Sequence, residues 1–206
     1  MSYGYLGDTS TSIKQQVKNA GVLSMSDVVD LKSKGHLGGS LELISTTTFS
    51  SVSEVDITSG FTGYDVFFVQ VSKIVGSTAP QNFRFRFFES GVLETASVYK
   101  YAMQYVQADG GNGEEKSTAS GTCRAFSFNS NDYASAYFYF YNFTDSSKYS
   151  FYTFQNAPSY DGDYEMKFGG GVLPQASTVD GVRFFPSTGT FSGEIKLYGV
   201  KQLWVL

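Results

Sequence analysis

The sequence predicts an all-β protein: an antiparallel two-sheet β-sandwich, jelly-roll-like, preceded by a short N-terminal arm that contains one short helix. Three observations carry this expectation. The chain of 206 residues holds 19 Phe, 15 Tyr and 22 Gly against only 4 Pro, the usage of a sheet protein with many tight turns. From about residue 41 the apolar residues recur with a period of two, the spacing of a strand with one buried face. Clusters of Gly, Asn, Ser and Asp punctuate those runs, as turns do.

Residues 1–39 differ from the rest and read as an attachment arm, with the sandwich domain over 40–206. Aromatic residues vanish after Tyr5, while Ser, Thr, Lys and Gly dominate. The stretch SMSDVVDLKSK, residues 24–34, supplies Ser24 or Ser26 as an N-cap, Asp27 near the positive helix end, and apolar residues at helical spacing before Gly35. A helix of this length is stable only when docked. Met25, Val28, Val29 and Leu31 are therefore the expected partner-binding face of the arm, and Gly38-Gly39 its hinge.

Strand candidates follow over 41–48, 52–58, 64–75, 82–89, 97–107, 121–128, 135–143, 149–155, 163–168, 178–185 and 193–201. Alternation is cleanest in Phe83-Arg84-Phe85-Arg86-Phe87, which places three rings on one face and two guanidinium groups on the other. Asp109-Gly110-Gly111-Asn112-Gly113 and Gly169-Gly170-Gly171 read as loops. In the last strand Ile195 and Leu197 share one face and Lys196 and Tyr198 the other, a strand paired on both sides. Ser187-Thr188-Gly189-Thr190 reads as a hairpin turn joining it to the strand before.

Charge and cysteine usage narrow the partners. The formal net charge of -4 gives no basic field for a phosphate backbone, so no nucleic acid is expected. The chain opens without a basic, then apolar, leader pattern and has no run of about 18 apolar residues, so synthesis in a cytoplasm and no membrane partner are expected. One cysteine, Cys123, excludes an intrachain disulfide and argues against a cysteine metal site. No cofactor is called for.

Two stretches resemble a known kind of protein. The segment TVDGVRFFPSTGTFSGEIKLYGVKQ, with Arg183-Phe184-Phe185, a Ser/Thr/Gly turn and then Gly193, Ile195, Leu197, Tyr198 and Gly199, is similar to the C-terminal end of bacteriophage structural jelly-roll domains. The segment GVLSMSDVVDLKSKGHLGGSLELI is similar to N-terminal segments of virion proteins from phages of aquatic bacteria. Together they span about a quarter of the chain. What the resemblance implies is a virion structural protein, made in the host cytoplasm, that binds capsid or tail subunits as a head decoration, head-fibre or tail-fibre component. More aromatic residues than one sandwich core requires, and a Tyr137, Tyr139 and Tyr141 face otherwise exposed, predict a homo-oligomer; phage custom makes a trimer the first expectation.

Candidates for chemistry each meet a simpler reading. His36 is the only histidine, and it lies in a Gly-flanked linker, a poor place for a positioned general base. Cys123 reads as a small buried thiol. Asp161, Asp163 and Glu165 begin with the spacing of a calcium loop, but Met166 stands where Gly is required and Val172 where the bidentate acid is required. An irregular cation site or a solvated acidic turn remains. Glu114-Glu115, on what reads as a Gly-rich loop, does not supply two opposed carboxyls for glycoside hydrolysis. A non-enzymatic protein is the expectation.

The strand Ser135–Phe143 is more informative. Tyr137, Tyr139 and Tyr141 share one face and Phe138 and Phe140 the other. The Phe face belongs in the core. Three adjacent tyrosines on the other face form a subunit interface, an ordinary packed face or a platform for a cell-surface glycan. Glycan or receptor recognition is thus the alternative function.

Overall fold

The computed structural model describes residues 40–156, 159–160 and 163–201, together with Ser26 and Val29. The chain divides into two compact units, Met1–Glu42 and Leu43–Leu206. Of the predicted arm helix, Ser26 and Val29 are helical and Val29 is exposed. Met25, Val28, Leu31 and His36 lie outside the described residues.

The described body is built of strands: β1 Leu41–Val52, β2 Val55–Ile57, β3 Val66–Gly76, β4 Gln81–Glu89, β5 Val92–Leu93, β6 Tyr99–Gln107 and β7 Asn112–Ser120. They continue as β8 Cys123–Phe128, β9 Ala134–Tyr141, β10 Tyr149–Asn156, β11 Ser159–Tyr160, β12 Asp163–Ala176, β13 Val179–Pro186 and β14 Phe191–Val200. One sheet runs β1-β14-β3-β9-β10-β12-β6-β7, with β11 on β12, and the other runs β2-β13-β4-β5, with β8 on β4. This is the predicted antiparallel sandwich. The final strand is paired on both sides, by β1 and β3.

Alternating phenylalanines hold the two layers together. Phe83, Phe85 and Phe87 of β4 are fully buried, as are Phe138 and Phe140 of β9. Phe85 meets Phe138, Phe140, Tyr152 and Phe184 edge-on or tilted at centroid distances of 4.8–5.9 Å. Edge-to-face pairs of this kind add to the gain from burial.

Three expectations are corrected. Thr188 and Gly189 do not turn a hairpin: β13 belongs to the smaller sheet and β14 to the larger, so this segment crosses between layers. It is held by the β3–β4 loop and the start of β4: Ser77 N–H donates to Thr190 O over 2.9 Å and Ser187 N–H donates to Asn82 O over 2.9 Å. A Gly-bearing turn fits a hairpin or a crossover equally, and only the strand pairings decide.

Residues 112–120 form β7, which the residue pattern concealed. Its sequence, NGEEKSTAS, is polar because it lies at the end of the sheet order, where charge guards an open edge. Glu114 and Glu115 are therefore on a strand and point to opposite faces.

Gly169-Gly170-Gly171 is the middle of β12, paired with β10 on one side and β6 on the other. The glycines are there for close approach. A Cβ on Gly171 would stand 2.5 Å from Lys100 O and 2.5 Å from Cε1 of Tyr152, whose ring covers it. Gly171→Ala is expected to destabilise by about 1–3 kcal/mol through overpacking, read as a lowered melting temperature. An unchanged melt would mean that the segment is loop-like after all.

Candidate functional site

The outer face of the larger sheet carries an aromatic field. Cross-strand register sets Tyr139 between Phe68 of β3 and Thr153 of β10, and Tyr137 between Gln70 and Gln155. Tyr141 lies between Val66 and Phe151, and Tyr198 of β14 stands opposite Phe68. The predicted stripe of Tyr137, Tyr139 and Tyr141 is thus one row of a wider patch, with Phe138 and Phe140 in the core behind it. Phe68 links the row, its centroid 5.1 Å from that of Tyr139 and 5.8 Å from that of Tyr198.

Polar atoms are distributed among the rings. Tyr137 O–H donates to Gln155 Oε1 over 2.7 Å, and the Tyr141 and Thr153 hydroxyls are 3.3 Å apart. A groove of about 410 Å³ runs beside Tyr137, lined by Phe68, Gln70, Gln155 and Met166.

β12 extends the patch by reversing the usual arrangement. Tyr164, Met166 and Phe168 are 72%, 43% and 43% exposed, whereas Glu165 and Lys167 are 4% and 2% exposed. Apolar side chains face out and charges face in. One strand therefore supplies apolar surface to the outer patch and ionic groups to a cavity on the other side.

That cavity, of about 300 Å³, lies where β12, β6 and β7 meet β4 and β8. Lys167 Nζ stands at its wall, 2.8 Å from Glu115 Oε1, 3.3 Å from Glu165 Oε1 and 5.4 Å from the Tyr105 ring centre. It also donates to Ser127 Oγ over 3.1 Å. Arg124 pairs with Glu115 at 2.6 Å and donates to Asn82 Oδ1 over 2.6 Å. Gln107 Nε2 reaches Glu165 Oε2 at 3.5 Å. The Tyr105 phenol is held across Gly113, where a Cβ would lie 2.6 Å from its hydroxyl.

Next to Arg124 stands its cross-strand neighbour Arg84. Burial, then the nearby charge of Arg124, lowers its pKa from the ordinary guanidinium value. Its Nε is buried without a hydrogen-bond partner.

The sequence candidates fall in different places. Glu165 is not on a solvated acidic turn: it is buried and paired with Lys167. Asp161 and the side chain of Asp163 lie outside the described residues. Glu114 is largely exposed at the cavity rim and pairs with Lys116, while Glu115 turns inward to Arg124 and Lys167, so the adjacent pair does not act as a unit. Cys123 is fully buried, and burial holds its thiol well above the ordinary pKa, opposite to what a nucleophilic thiolate needs.

Asn82, Tyr105, Gln107, Ser127 and Lys167 were not singled out in the sequence. The one available signal was the alternation Glu165-Met166-Lys167-Phe168, which demands that either charges or apolar groups be buried and does not say which. Among the described residues, no helix is long and apolar enough to cross a membrane. A scan against protein-family models finds none that matches, and searches of curated proteins and of solved structures find no match either.

Proposed function

We propose that this chain is a non-catalytic virion component that binds other virion subunits, and that copies of it associate through the outer aromatic face of the larger sheet. The observation that carries the reading is that face: Tyr137, Phe151, Met166 and Phe168 are each about 40% exposed on neighbouring strands, Tyr137 and Phe168 flanking Gln155 and Phe151 standing opposite Tyr141. Contiguous apolar surface rimmed by polar groups marks an interaction site, and tyrosine with methionine is the usage of interface centres. The resemblance of segments 21–44 and 178–202 to phage structural proteins suggests the setting, a particle assembled in the host cytoplasm. Neither nucleic acid nor membrane is needed as a partner.

Light scattering at micromolar concentration is expected to give a multiple of 22.6 kDa, three copies being the first expectation. The double variant Tyr139→Glu, Phe151→Glu places charge at the centre of the face and is expected to return the single-chain mass with the same far-ultraviolet circular dichroism. A wild-type protein that runs as a monomer overturns association through this face.

A second reading, recognition of a bacterial surface glycan, is supported by the chemistry of the groove and the cavity. Aromatic rings beside amide and hydroxyl groups suit sugar rings, which present apolar faces and hydroxyl edges.

A further inference from the structure

We infer that the charged cavity beneath β12 is a binding site for one neutral sugar unit. The inference deepens the glycan reading and is independent of association through the outer face.

The cavity is costly to maintain. Elsewhere the core is chiefly phenylalanine with Val, Ile and Leu, and well-packed apolar residues in place of a buried ion pair are often neutral or stabilising. Here Lys167, Glu165, Glu115 and Arg124 instead surround about 300 Å³ of space, at the small end of ligand sites. That is room for about one hexose ring.

Charge decides the class of ligand. The three carboxylates and two cations that line the space are already matched, Glu115 with both Arg124 and Lys167, Glu165 with Lys167, and Glu114 with Lys116 at the rim. An ionic ligand would leave one of these groups with excess charge in a buried setting, which is expensive. A hydroxyl group needs no net charge from its partners because it donates and accepts at once.

The Asn82 and Gln107 amides, the Tyr105 phenol and the Ser127 hydroxyl line the same space beside the ion pairs. Amide and hydroxyl groups, which between them donate and accept, match the pattern of neighbouring sugar hydroxyls. Tyr105, immobilised over Gly113, contributes a ring edge.

The side-chain amides of Asn82 and Gln107 line the cavity, and those of Gln70 and Gln155 line the outer groove, so one spectrum separates the two sites. The intact 15N-labelled chain is titrated to tens of millimolar with glucose, galactose, mannose and N-acetylglucosamine in turn. At least one sugar is expected to shift the Asn82 and Gln107 amide signals saturably, with a dissociation constant on the order of a millimolar. Glu165→Gln is expected to weaken that sugar about tenfold or more, equivalent to about 1.4 kcal/mol. Should this variant lose its fold, the wild-type map still decides. The inference is overturned if no sugar shifts these amides, if shifts fall on Gln70 and Gln155 instead, or if glucuronate binds more tightly than glucose. None of these outcomes changes the mass measured by light scattering.

Discussion

Raising the pH from 9 to beyond 10 is expected to unfold the protein cooperatively, through three buried groups that resist losing their protons. The Cys123 thiol is held well above its ordinary 9.0, and the Tyr152 phenol well above 10.0, in both cases chiefly by burial. Burial likewise raises the Tyr99 phenol above 10.0, although its oxygen accepts from Phe87 N–H over 3.0 Å. In the unfolded chain these groups ionise at their ordinary values while the folded chain keeps them protonated. Each then adds stability that is complete below the unfolded pKa and is lost as pH climbs towards the folded one.

The unfolded state binds fewer protons in that window, so stability falls by about 1.4 kcal/mol per pH unit for each group. Together the three give about 4 kcal/mol per unit once pH exceeds 10. A fold of ordinary stability, about 5–15 kcal/mol, does not survive many units of that slope. Thermal melts at stepped pH, with tyrosinate absorbance recorded in parallel, measure both sides. The buried phenols are expected to ionise only with unfolding. Smooth ionisation of all described tyrosines in a folded protein would show that Tyr99 and Tyr152 are reached by solvent.

Lys167→Met is the second change with a large expected effect, a loss of about 3–5 kcal/mol, the cost of removing one partner from a buried ion pair. Lys167 is 2% exposed and Glu165 4%, and among the described residues Lys167 is the only cation paired with Glu165. Without it Glu165 is a buried carboxylate facing only Gln107, while Glu115 keeps Arg124.

The double variant Lys167→Met, Glu165→Met is expected to recover most of the loss, because both charges leave together and side chains of similar volume remain. Denaturant midpoints of the three proteins form the test. Equal midpoints for the wild type and the single variant would mean that water screens the cluster and that the charges are not held in a dry wall. A double variant no better than the single one would place the cost in lost shape and not in the stranded carboxylate.

The sequence alone was enough for the sandwich, for the Phe faces of β4 and β9 and for the Tyr137, Tyr139 and Tyr141 row, since side chains on a strand alternate and a run with aromatic residues at every second position has one self-consistent burial. The shared face of Ile195 and Leu197 followed on the same grounds. Tertiary structure decided the rest wherever the local pattern had two answers. β12 alternates charge with apolar bulk, and only its place in the sheet, with a polar cavity on one side, buries Glu165 and Lys167 and leaves Met166 and Phe168 outside. Gly169–Gly171 matched a loop because glycine is permissive, whereas the neighbouring strands and the Tyr152 ring demanded the absence of side chains there. β7 lacked apolar signal because an edge strand needs charge, so Glu115 came to the cavity from a segment that read as a loop. The cavity itself assembles from β4, β6, β7, β8 and β12, whose spacing along the chain carries no shared motif, and it exists only because two sheets bring those strands together.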